Sequence, residues 1–287
     1  MADDLTSIVE SNEAERLATG MVFTEGPLWH PDGYLLFVDI RRSLIFKMAP
    51  GTEPEVMREN SGGSNGLTFD LQGRLIMCEG DERRVTRMEA DGTITPLVER
   101  WEGKRLNRPN DVVGRSDGSL YFTDPGGRID AAERELDFAG IYRIAPDGTS
   151  APVITEFEYP NGLAFSPDDS ILYVANTRNS THIEAYDVMP DGSVGNRRVF
   201  ADMSSNETDG VPDGMKVDVE GRVYCTGGGG CWVFDSSGKH LGIIRLPEIP
   251  ANCAWGGPDN RTMFFTARTS VYSMRMKTQG TSIPSAG

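Results

Sequence analysis

The chain predicts an all-β fold, a six-bladed β-propeller with four-stranded blades, and three observations predict it. One polar-anchored pattern recurs six times along the 287 residues. Strand-like runs bounded by turn residues follow every copy, giving about four short strands per 40–50 residues. No segment carries a long apolar stripe at helical spacing, which removes an α/β reading.

The copies run in order as FTEGPLWHPDGYLLFVD, SGGSNGLTFDLQGRLIMCE, NRPNDVVGRSDGSLYFTD, YPNGLAFSPDDSILYVAN, VPDGMKVDVEGRVYCTG and IPANCAWGGPDNRTMFFTA. Their anchors are Glu25, Asn65, Asn110, Asn161, Asp213 and Asn252. Eight residues after each anchor stands a residue that tolerates a tight turn: Gly33, Gly73, Gly118, Asp169, Gly221 and Asn260. Ten and twelve residues after it the side chains are apolar, as in Leu35/Phe37, Leu75/Met77, Leu120/Phe122, Ile171/Tyr173 and Val223/Cys225. The sixth copy keeps only Phe264 of that pair. This spacing describes a strand, a turn and a strand returning beside it, with one face apolar. LIFKMAP, RVTRMEA, GIYRIAP, IEAYDVMP, CWVFDSS and VYSMRMK then supply outer strands.

The last unit ends near Met276 with three strands, whereas EAERLA at 13–18 precedes the first unit as a spare one. Pairing the two would close the ring and remove an open sheet edge. A single domain over 13–276 follows, with 1–12 and 277–287 as flexible flanks. Residues 126–139 interrupt the third unit. Their run DAAEREL suits a brief helix capped by Asp130, and the insertion is expected to border the substrate as a lid.

Acidic residues outnumber basic ones, 43 to 28, for a net charge of −15. Such a surface repels phosphate backbones, which speaks against a nucleic-acid partner. No apolar run approaches the roughly 20 residues of a membrane helix, and the acidic start lacks the features of a signal peptide. The four cysteines show no zinc spacing and read as buried thiols of a cytoplasmic protein.

Pro-Asp-Gly at 31–33, 146–148 and 190–192 separates apolar runs, as a turn does. The copy at 212–214 stands seven residues before the Gly221 turn, so Asp213 reads as an anchor instead. In a propeller the first strand of each blade lines the axis, and the anchors converge at one mouth of the channel. Two carboxylates meeting there repel unless something positive lies between them. An all-oxygen ring of Glu, Asp and Asn suits calcium, or else magnesium or manganese, and not zinc. For Asn65 and Asn252 the alternative is a bond to backbone, because Asn-Gly is a turn dipeptide.

Two apparent motifs fall away. Gly62-Gly63-Ser64-Asn65-Gly66 has the letters of a nucleophile elbow, yet a strand hairpin follows where a helix is required. The glycines 227–230 join two strands of the fifth unit, with no helix or lysine to hold a phosphate.

Taken in order, TEGPLW, RPNDVV, YFTDP, ELDFAGIYR, PNGLAFSPDD, PDGMKVD and NCAWGG make the chain resemble the family of senescence marker protein, gluconolactonase and luciferin-regenerating enzyme. YFTDP with ELDFAGIYR is most similar to the bacterial gluconolactonase branch. The resemblance implies one catalytic divalent ion, usually calcium, held by Glu25, Asn161 and Asp213, with Asn110 as ligand or substrate contact. It also implies that Arg108 touches substrate, the alternative being a surface arginine. The expected activity is metal-dependent opening of a lactone ring, a sugar lactone such as gluconolactone, with Asp213 as ligand and general base. Two rivals stand beside it: a promiscuous esterase or phosphotriesterase on the same site, and a ligand- or protein-binding propeller with a structural ion.

Overall fold

The computed structural model describes residues 5–11, 13–126, 129–204 and 210–282. Six four-stranded antiparallel sheets form the ring, five of them with their strands in chain order outward from the axis and the sixth completed on its outer edge by the first strand of the chain. Blade 1 comprises Thr24–His30, Tyr34–Asp39, Leu44–Met48 and Glu55–Arg58; blade 2 comprises Ser64–Phe69, Leu75–Glu79, Arg84–Met88 and Ile94–Val98. Blade 3 is built from Val112–Gly114, Leu120–Asp124, Ala139–Ile144 and Ser150–Phe157, and blade 4 from Pro160–Phe165, Ile171–Asn176, His182–Val188 and Val194–Asp202. Blade 5 holds Met215–Val217, Val223–Gly227, Gly230–Phe234 and His240–Ile244. Blade 6 takes Pro250–Gly256, Thr262–Ala267 and Ser270–Arg275 from one end of the chain and Glu15–Thr19 from the other.

The innermost strand of every blade packs against those of its two neighbours, the sixth meeting the first. The apolar core is divided accordingly into six wedges, one between each pair of adjacent blades. The residues ten and twelve past each anchor fill these wedges: Phe37, Met77, Phe122, Val223 and Cys225 are fully buried. All six turn residues take positive φ, from 53° at Asn260 to 88° at Gly33. Each donates its N–H to the carbonyl three residues earlier, as Gly33 does to His30 and Asn260 to Gly257. Non-glycine residues reach this region at low cost only as Asn or Asp, which is what stands at 169 and 260.

Glu15–Thr19 pairs antiparallel with Ser270–Arg275, Glu15 opposite Ser273 and Thr19 opposite Ser270. Some of the described residues in the flanks expected to be flexible, 1–12 and 277–287, are packed. Leu5, Ile8 and Val9 are buried against Met274 and Met276 beneath blade 6. Val9 bridges to Met276, and Gly280 bridges to Asp218. Charge around these short apolar stretches hides them from a composition reading; burying Ile8 and Val9 removes apolar surface that the wedge between blades 5 and 6 would otherwise leave wet. Residues 1–4, 12 and 283–287 lie outside the described part.

The insertion in blade 3 forms a single turn, not a helix: Glu133 donates to the Asp130 carbonyl at 2.9 Å. Leu136 anchors it in the wedge between blades 2 and 3. Residues 127–128 lie outside the described part.

Candidate active site

Six sequence-predicted residues line one cavity of about 300 Å³: Glu25, Asn65, Arg108, Asn110, Asn161 and Asp213. The backbone explains how the anchors reach it. Glu25, Asn65 and Asn161 sit at β-bulges, where the pairing shifts between Glu25 and Leu28, Ser64 and Leu67, and Pro160 and Leu163. A bulge re-aims a side chain that regular pleating would direct elsewhere. Asn110 and Asp213 precede their strands and are pinned through the main chain, their N–H groups donating to Thr123 O at 2.9 Å and Thr226 O at 3.0 Å.

Glycine follows four of the anchors because the next blade presses against it. A Cβ on Gly26 would stand 2.0 Å from Asn65 O, on Gly66 2.4 Å from Asp111 Oδ1, on Gly162 2.2 Å from Asp213 O and on Gly214 2.0 Å from Asn252 Oδ1. Asn65-Gly66 is therefore packing, not a turn. The backbone bond suggested for Asn65 is absent: its buried Oδ1 has no partner among the described residues. Asn252 lies outside the cavity lining, below it, accepting from Cys253 N at 2.8 Å and donating to Asp111 Oδ2 at 3.3 Å.

The ring is also less uniform than the anchors imply. Asp111, where the other units place glycine or cysteine, is a second buried carboxylate beneath Glu25. Burial first, and then the Asp111 charge, push Glu25 up to about 7, against the pull of the Gly26 N–H, Asn252 and Lys216. Burial raises Asp111 as well, opposed mainly by Lys216. Lys216 is thus the positive group near this pair, in a ring that the anchors alone describe as free of cations. A break in the anchor-glycine pattern at 110–111 is the signal in the sequence for Asp111; Lys216 has none.

Arg108 is held at both ends. Its main-chain N–H donates to Asp124 Oδ1 at 2.6 Å, and Nη2 lies 2.7 Å from Asp81 Oδ1. Asp124 is fully buried and also accepts from Asn107 N at 2.8 Å; burial raises it to about 7, the two N–H donors pulling the other way. Across the mouth Arg178 stacks over the Tyr159 ring at 4.4 Å, and both line the cavity. Pro125, just before the expected lid, lines the cavity, and no described residue of 126–139 does.

Among the described residues no three His, Cys, Asp or Glu side chains cluster as metal ligands, so a cation here must draw on amide oxygens too. The donor set fits that need. Asn65 Oδ1 is a buried oxygen without a partner among the described residues, on a residue that lines the same cavity as Glu25 and Asp213. The Asn161 amide donates its Nδ2 to Thr177 Oγ1 at 3.0 Å, and that hydroxyl in turn donates to Pro212 O, so the amide is fixed with its oxygen as the other end. Glu25 and Asp111 together are short of positive charge, which a divalent ion with hard oxygen ligands supplies.

The family described as "SMP-30/Gluconolactonase/LRE-like region" matches residues 23–269. A gluconolactonase of Zymomonas mobilis subsp. mobilis is 30% identical, over 94% of this chain and 83% of that protein. A pentonolactonase of Haloferax volcanii is 34% identical, over 84% of this chain and 80% of its own length. The solved structure of a gluconolactonase from Xanthomonas campestris superposes with a TM-score of 0.86 at 33% identity, covering 95% of this chain and 92% of that one.

Proposed function

The chain belongs to the SMP-30/gluconolactonase/LRE-like family, and on that premise we propose that it is a lactone hydrolase whose substrates are sugar lactones. The observation that carries the reading is the convergence of Glu25, Asn110, Asn161 and Asp213, with Arg108 beside them, in one cavity. Two relatives, a gluconolactonase and a pentonolactonase, support the substrate class.

Glu25, Asn161 and Asp213, with Asn110, are the residues that would hold a divalent cation, calcium or else manganese or magnesium. When bound, it would supply Lewis-acid polarisation of the lactone carbonyl. The chain's own residues do the rest. The Asp213 carboxylate accepts a proton from water as the water oxygen bonds to the carbonyl carbon. The ring C–O bond then breaks, the ring oxygen takes up the proton held on Asp213 and leaves as a hydroxyl, and a hydroxy acid is released. General-base help of this kind is worth about 10²–10⁴ in rate. Arg108, fixed by Asp81 and Asp124, donates N–H groups to the sugar's oxygens and sets its orientation.

A pH-indicator assay tests this with aldonolactones, aliphatic lactones, aryl esters and phosphotriesters, before and after exhaustive EDTA treatment. We expect turnover of the aldonolactones, lost on chelation and restored by calcium, manganese or magnesium. Undiminished turnover by protein shown metal-free by elemental analysis would overturn the cation; inertness toward every lactone would overturn the activity.

A further inference from the structure

The run Gly62-Gly63-Ser64, set aside as a nucleophile elbow, has a different use. Ser64 Oγ donates to Ser61 O at 2.6 Å and is buried. Gly62 and Gly63 take φ of +66° and +61°. A Cβ on Gly63 would lie 2.3 Å from Asp81 Oδ2 and 2.5 Å from Asp81 Cγ. The two short segments are tied together, Gly80 N donating to Gly63 O at 3.3 Å and Asp81 N to Gly62 O at 3.0 Å. The space left by Gly63 is where the Asp81 carboxylate stands, and from there it meets Arg108 of the next unit at 2.7 Å. Gly80 lies along the Arg108 stem, its Cβ position 3.1 Å from Arg108 Cγ.

We propose that Asp81 is the positioning residue for Arg108 and sets the substrate's charge class, making the site a reader of neutral polyhydroxy lactones in preference to lactones that carry a carboxylate. The inference rests on the lactonase reading above. A guanidinium offers five N–H donors in a rigid fork. With one edge of the fork engaged by Asp81, the pair is neutral, and the remaining N–H groups suit hydroxyl and carbonyl oxygens. An anionic substituent brought to the same place meets Asp81 as well as Arg108, with Glu25 and Asp213 in the same cavity. Arg178, the other cation of the mouth, is engaged over the Tyr159 ring at 4.4 Å.

The test compares D-glucono-1,4-lactone with D-glucaro-1,4-lactone, which share a ring and differ by a carboxylate, in wild type, Asp81→Asn, Arg108→Gln and the double variant. We expect wild type to favour the neutral lactone. Asp81→Asn should raise KM for the neutral lactone about tenfold with little change in kcat, and shift the ratio of the two kcat/KM values about tenfold toward the anion. In the Arg108→Gln background, Asp81→Asn should move that ratio no further. Parallel losses on both lactones, no loss on either, or the same shift without Arg108 would each overturn the inference while sparing the lactonase. A wild type inert toward both lactones, and toward every other, would overturn the two readings together.

Discussion

The six innermost strands have two ends that obey different rules. At the turn end all six units use one device: a residue at positive φ whose N–H closes onto the carbonyl three positions back. At the anchor end the six blades share no single device. Bulges aim three of the anchors, main-chain bonds to threonine-strand carbonyls hold two, and Asn252 drops out of the cavity altogether. The same repeat therefore carries two messages. What recurs unchanged is what closing a blade demands, and what departs from the repeat is where chemistry is placed.

The widest gap between the two ends should appear with a single methyl group. Gly26→Ala puts Cβ 2.0 Å from the main-chain oxygen of Asn65, which has no rotamer by which to move aside. We predict a loss above ~3 kcal/mol in unfolding free energy. Gly33→Ala finds nothing within 4 Å and should cost only the left-handed conformation, ~1 kcal/mol. Urea midpoints at unchanged slope measure both; equal losses would erase the distinction between the ends.

Next in size is a change that should leave the fold alone. Asp213→Asn keeps an oxygen and the main-chain bonds at 213 but removes the basicity. The variant should stay folded by near-ultraviolet circular dichroism and lose about 10²-fold in kcat even at saturating calcium. Recovery of most of kcat at high metal would make Asp213 a ligand without a role as base.

The smallest effect per step is graded with pH. Asp124, raised to about 7 in the folded protein against an ordinary value of 3.8, holds its proton where the unfolded chain has released it. Stability should therefore fall as pH rises from about 4 to about 7, with this group contributing at most ~1.4 kcal/mol per pH unit. In the metal-free protein Glu25 adds to the same trend. Asp124→Asn should flatten the decline in a pH series of urea melts, and an unaltered slope would remove Asp124 from the account.

What is legible in the sequence follows the same division. The turns and the apolar pairs can be read because each depends on residues a few positions apart, and the closing strand because the last unit is one strand short. The anchors can be read because six copies place them in register. Asp81 and Arg108 belong to different units, and only the ring brings them together. Lys216 lies outside the anchor positions, and its effect on Glu25 and Asp111 depends on burial that no local spacing records. Asn65 is misread as a turn cap for a related reason: Gly66 is small because Asp111 of the neighbouring blade presses on it, not because the chain reverses there. The lid fails as a helix because Leu136 is held by the wedge between blades 2 and 3, and six or seven residues of helical propensity do not outweigh tertiary packing.

Blade 6 joins Glu15–Thr19 to Ser270–Arg275, partners separated by most of the chain. During synthesis the closing strand emerges among the first segments and has no sheet to join until the last strands follow it from the ribosome. Five blades can form from contacts within a few tens of residues, whereas the sixth requires closing a loop that spans the rest of the ring. The entropic cost of that closure grows only slowly with length, but the search is long and keeps folding rates low for topologies of this kind. Until it ends, the strand ending at Arg275 presents an unpaired edge to any other chain nearby, and the acidic surface is what keeps such half-closed rings apart.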